Sequence, residues 1–186
     1  KFGKSAKKVQ YFGIDKKSNH ELYDNVTVLF YNSSKDFAVG LLTQSDDIVY
    51  LYRTDDNKSF DKLYADMQKK QSAYKDVADF GEKDELKVPN INLYKLKSFD
   101  EVCERQIKGT NIKIDKAVET VDFKMNNKGV KLKSEALIMT KMTALAPEAS
   151  HPRKLYFNDT FVMFLQERDK QQPYFALRVD DVAAIN

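Results

Sequence analysis

The fold is read from Ile112-Lys113-Ile114-Asp115-Lys116-Ala117-Val118-Glu119-Thr120-Val121-Asp122-Phe123-Lys124-Met125, followed by Asn126-Asn127-Lys128-Gly129. Ile112 and Ile114 share one strand phase, and Val121, Phe123 and Met125 share the other. A bulge or bend near 115–120 reconciles the two, so this is one long strand running into a turn. After Gly129 the alternation resumes. Val130, Leu132, Ser134, Ala136 and Ile138 fall on one side; Lys131, Lys133, Glu135, Leu137 and Met139 fall on the other. Residues 140–153, with Pro147 and Pro152, read as a loop.

Working outward, Val26–Tyr31 and Phe37–Leu42 are near-continuous apolar runs joined by Asn32-Ser33-Ser34-Lys35-Asp36. Runs without alternation predict strands buried on both faces. Ile48–Tyr52 predicts another short strand. Phe161–Leu165 and Tyr174–Val179 predict a hairpin about Arg168-Asp169-Lys170-Gln171-Gln172. Phe60, Leu63, Tyr64 and Met67 share one helix face, with Asp61 in the first turn and Lys69 and Lys70 in the last. Ser98-Phe99-Asp100-Glu101 reads as a capping box opening a second helix, with Phe99, Val102, Cys103 and Ile107 inward and Gly109 as its stop. Leu86–Leu93 is extended, with Pro89 marking an edge or an irregular start. The expectation is a single α+β unit over 1–186, β-dominated, with about nine strands and two helices, without repeats or a linker.

Composition narrows the function classes. The chain has 186 residues, 42% hydrophobic and 12% aromatic, enough for a sizeable core. Its 31 Lys and Arg against 28 Asp and Glu leave +3, too little to indicate nucleic acid. No apolar run approaches the ~18 residues of a membrane-spanning helix. One cysteine, Cys103, excludes an intrachain disulfide framework and reads as a buried thiol. Two histidines, His20 and His151, give no metal-ligand spacing with it, and no cofactor motif stands out. No nucleophile–base pair, carboxylate pair or phosphate loop points to an enzyme. Lys1, Lys4, Lys7, Lys8, Lys16 and Lys17 could meet a polyanion, or simply form a solvated terminus.

Glycosylation sequons begin at Asn25, Asn32, Asn57 and Asn158. With eleven Asn and about one residue in ten Ser or Thr, chance supplies about one, so the excess favours a secreted glycoprotein. The first ten residues carry four lysines and no apolar stretch of signal-peptide length, so a leader is expected upstream.

The strand 112–125 with Asn126-Asn127-Lys128-Gly129 resembles the central strand of a serpin leading into its mobile reactive loop. Phe157-Asn158-Asp159-Thr160-Phe161-Val162-Met163-Phe164 is similar to the family's strand after that loop. Phe175-Ala176-Leu177-Arg178-Val179 is similar to its C-terminal signature strand. Leu86-Lys87-Val88-Pro89-Asn90-Ile91-Asn92-Leu93 resembles the strand before its capped helix, and residues 23–42 resemble its paired buried strands. The five pieces stand in the family's order, but they match only the C-terminal half of a serpin. The resemblance therefore implies an N-terminal partner chain, a fragment, or a shortened relative that repacks or oligomerises.

It also implies a reactive loop at 130–153, with Gly129, Val130, Lys131, Leu132, Lys133 and Ser134 as its hinge. The bond cut by a serine protease would lie within Lys141-Met142-Thr143-Ala144-Leu145: Thr143 by spacing, Lys141 for a trypsin-like enzyme, Leu145 for an elastase- or chymotrypsin-like one. An inhibitory serpin inserts the cut loop into its main sheet and so traps the protease. Small residues favour that insertion, and Leu132 is large where the family is small. Overpacking of this kind costs ~1–3 kcal/mol. Asn127 stands where the family usually has an acidic residue, Glu119 where it has His, Thr160 where it has Pro and Leu177 where it has Gly. These departures point to a non-inhibitory or weakly inhibitory member acting by binding; an active suicide inhibitor and a polyanion-binding surface remain the alternatives.

Overall fold

The computed structural model describes residues 9–16, 18, 20–43, 47–98, 101, 103, 105–106, 108–111, 113, 118–126 and 151–185. Among the described residues, ten strands follow in chain order: β1 (Tyr11–Ile14), β2 (Val26–Ser33), β3 (Asp36–Leu42), β4 (Asp47–Arg53), β5 (Glu85–Pro89), β6 (Ile91–Ser98), β7 (Val118–Met125), β8 (Lys154–Tyr156), β9 (Phe161–Glu167) and β10 (Phe175–Val179). The same residues include one α-helix, α1 (Phe60–Ala73), between β4 and β5, and short 3-10 helices at His20–Asn25 and Val182–Ile185.

The centre is a five-stranded antiparallel sheet in the order β10-β9-β4-β3-β2. Its strands carry β-branched and aromatic residues because both faces are covered. Phe37, Val39 and Leu41 of β3 enter one core, together with Val28, Leu51, Phe161 and Met163. Ala38, between them, enters a second core with Phe30, Tyr52, Val162 and Phe164. Burial on both faces accounts for the missing polar alternation. The β2–β3 hairpin closes at Ser33↔Asp36, as expected, with register shifts on β2 that bend the strand.

Helix α1 closes the second core. Leu63, Tyr64 and Met67 are buried at the expected spacing, worth about 1.5–3 kcal/mol each in transfer from water. The other face of the sheet is closed by two smaller sheets. One is β1-β5-β8, with β8 parallel to β5; the other is the β6–β7 ribbon, antiparallel from Ile91↔Met125 to Ser98↔Val118. Ile14, Leu86, Val88, Leu155, Ile91 and Met125 carry these pieces into the first core. Gly13 lets β1 close on β5: a Cβ there would stand 1.8 Å from the Leu86 carbonyl oxygen.

Ser98 ends β6 opposite Val118, in the extended backbone that a helix N-cap takes, and Glu101 lies in a 3-10 turn. The rest of the expected second helix and the proposed bend at 115–120 lie largely outside the described residues. Two expectations change. Cys103 sits in a turn, half-buried rather than buried. The extended segment 86–93 is two strands: Pro89 ends β5, and Asn90 turns the chain into β6.

Candidate functional site

The candidate site is the stretch between β7 and β8, expected to be a loop, with the described parts on either side of it. Residues 129–134 and 141–145, its expected hinge and scissile region, lie outside the described residues, as does the lysine cluster at 1–8. What the structure does place is the frame.

On the entering side, β7 pairs with β6 along its whole length. Ile91 and Met125 are buried, and Phe123 stacks on Phe175 with ring centroids 5.3 Å apart. Among the described residues, the opposite edge of β7 has no strand partner. That edge presents backbone donors and acceptors to whatever lies alongside.

On the leaving side, the chain is pinned at once. Arg153, the last residue of the expected loop, is 2% exposed, and Asp84 is equally buried. The Arg153 guanidinium donates from Nε to Asp84 Oδ1 at 3.1 Å and from Nη2 to Asp84 Oδ2 at 2.6 Å. Nη2 also donates to the Asp79 carbonyl at 2.7 Å, and Nη1 to the Val77 carbonyl and, more loosely, to the Tyr74 hydroxyl. The backbone N–H groups of Arg153 and Gly81 complete the carboxylate, at 3.0 and 2.9 Å. Burial disfavours the charged guanidinium, but the Asp84 carboxylate and the Tyr74 hydroxyl outweigh it and hold the pKa above the usual arginine value. This buried pair fastens the start of β8 to the connection between α1 and β5.

A second arginine repeats the device one strand later. Arg53, 3% exposed at the end of β4, donates from Nη2 to Asp159 Oδ2 at 2.9 Å and from Nη1 to the Thr160 carbonyl. The β9 end of the turn between β8 and β9 is thus held from the central sheet. Neither arginine had a local sequence signal, since Asp84 and Arg153 are 69 residues apart.

A third polar cluster ties α1 to the sheet. Lys70 Nζ lies 2.7 Å from the Tyr52 hydroxyl, 2.9 Å from Asp36 and 3.1 Å from Asp66. The Tyr52 hydroxyl donates to Asp66 at 2.6 Å. Burial, with the Asp66 bond, pushes the Tyr52 phenol up to about 12. Burial works against charge on Lys70 and Asp66, yet their mutual bonds and Tyr52 raise the first pKa and lower the second. The cluster is satisfied internally and serves packing.

All four sequon asparagines lie among the described residues: Asn32, Asn57 and Asn158 are exposed, and Asn25 is half-buried. Among the described residues, no group of three His, Cys, Asp or Glu could hold a metal, and no helix is long and apolar enough to cross a membrane.

No family model and no curated protein matches the sequence. Solved structures do match. Maspin aligns at TM-score 0.57 over 93% of this chain and 48% of its own, with 8% identity. SRPN18 from Anopheles gambiae aligns at TM-score 0.51 over 93% and 44%, with 7% identity. Thyroxine-binding globulin in complex with thyroxine aligns at TM-score 0.50 over 92% and 44%, with 12% identity. The chain has a serpin-like fold. It spans less than half the length of the solved serpins it matches. Serpins of this kind are mostly protease inhibitors or binding proteins rather than catalysts. β6 and β7 precede the stretch expected to be the loop, and β8 to β10 follow it.

Proposed function

We propose that the protein is a secreted, serpin-like binding protein whose loop is cut by serine proteases without trapping them efficiently. The carrying observation is the pair formed by the β7 edge and the segment that would fill it. A strand laid beside β7 must place alternate residues toward the core, and the chain offers Val130, Leu132, Ser134 and Ala136 there. Leu132 brings a large side chain to a packed sheet, which opposes insertion. Slow insertion leaves time for the protease to hydrolyse its acyl-enzyme and depart. The departures at Asn127, Glu119 and Thr160 flank the same machinery. Thyroxine-binding globulin, a match of this fold, binds thyroxine, which supports a binding role. The half-covered face around Phe123, Phe175 and Leu177 is read as the seat of an N-terminal serpin half or a second chain.

The second reading is a suicide inhibitor of a serine protease, favoured by the β7 edge that no strand pairs among the described residues. Melting of the natural protein before and after loop cleavage separates the two. Substrate behaviour leaves the melting temperature nearly unchanged; insertion raises it steeply. A steep rise would overturn the proposal.

A further inference from the structure

An N-linked glycan makes three demands of its asparagine. The side chain must stand in water, the amide nitrogen must be released to the sugar, and the hydroxyl two residues on must be able to approach it. The four sequons differ on each count.

Asn25 is half-buried at the end of a 3-10 helix, and its amide donates to the Glu21 carbonyl at 3.1 Å. The next residue, Val26, is in the core, and Thr27 is bridged to Asp79. Asn32 is exposed, but its amide donates to Asp36 Oδ2 at 2.9 Å, and Asp36 also holds Lys70. Asn158 is exposed, but Thr160 is fixed by Asp159 at its N–H and by Arg53 at its carbonyl.

Asn57 meets all three demands. It lies exposed in the irregular segment between β4 and α1, and its amide has no hydrogen-bond partner among the described residues. Ser59, the N-cap of α1, is extended (φ −61°, ψ 155°), and its hydroxyl makes no capping bond, so it remains available. Phe60, 42% exposed, adds apolar surface that the face of a first sugar can cover.

We propose that Asn57 is the principal glycan acceptor of this chain and that the fold closes Asn25. The assignment rests on the secreted reading above. The test directs the full-length protein into the lumen of a eukaryotic secretory host behind a cleavable leader. Digestion with peptide N-glycosidase in heavy-oxygen water and peptide mapping then report occupancy at each asparagine. The expected result is label at Asn57 in most copies and none at Asn25, with Asn57→Gln removing the main mobility shift. An unlabelled Asn57, higher occupancy at Asn32 or Asn158 than at Asn57, or a labelled Asn25 in the exported protein overturns the assignment. Glycan-free protein from the natural source, beside labelled Asn57 in the host, would sink the secreted reading and leave the assignment standing.

Discussion

Replacing Arg153 by Met tests whether the buried clamp holds the far end of the loop. Methionine keeps most of the side chain's length and removes every guanidinium donor. Asp84 then keeps only the backbone N–H groups of residue 153 and Gly81, and the Val77 and Asp79 carbonyls lose their arginine. Removing one partner of a buried ion pair typically costs ~3–5 kcal/mol, because the other charge stays buried and under-satisfied. With a urea m-value of ~2 kcal/mol/M, that lowers the unfolding midpoint by about 1.5–2.5 M. The double variant Asp84→Leu/Arg153→Met removes both charges and should recover a large part of the loss, since apolar replacement of a buried pair is often near neutral. The assay is urea unfolding followed by circular dichroism, with amide exchange at Leu155 and Phe157 as the local probe. A loss below ~1 kcal/mol for Arg153→Met, or a double variant as weak as the single, would show that the pair does not hold β8.

Three further outcomes follow from the same geometry. Gly13→Ala should displace β1 from β5, costing about 1–3 kcal/mol, because its Cβ would overlap the Leu86 carbonyl at 1.8 Å; faster exchange of the Phe12 and Ile14 amides, with β9 unchanged, checks this. In the cluster under α1, Tyr52 and Lys70 have raised pKa values, so their contribution is complete below the ordinary values of ~10 and falls away as pH rises through the folded ones. Asp66 is lowered, so its contribution is present above ~4 and lost on acidification through its folded pKa. Melting temperature against pH should therefore fall at both ends, with the alkaline fall reduced in Tyr52→Phe; an unchanged alkaline limb would refute the Tyr52 role. A cut between Met139 and Pro147 should leave the C-terminal piece bound, because β9 is paired on both sides by β4 and β10. The nicked chain should elute as one species in native buffer and separate only in denaturant.

The central sheet was legible because its strands are buried on both faces. Val26–Tyr31 and Phe37–Leu42 have few other uses for such runs. Helix α1 was legible from four residues at one spacing. β1 was missed because four residues containing Gly13 make too short a pattern, and β8 because only Leu155 of its three residues is buried. The capping box at Ser98 marks where β6 ends and the chain enters the 3-10 turn at Glu101; the rest of that expected helix lies largely outside the described residues. The expected loop lies largely outside the described residues, and what holds the chain beyond it was not legible. Arg153 with Asp84, and Arg53 with Asp159, are pairs made by the fold between distant positions, with no periodicity to announce them.

The most direct measurement is denaturing intact mass of the natural full-length protein after exposure to trypsin, chymotrypsin and elastase in turn. The account predicts a simple cut within the loop, with both fragments recovered and no added protease mass. A denaturation-resistant species weighing protein plus protease, with release of the piece beyond the cut, would establish covalent trapping and contradict it.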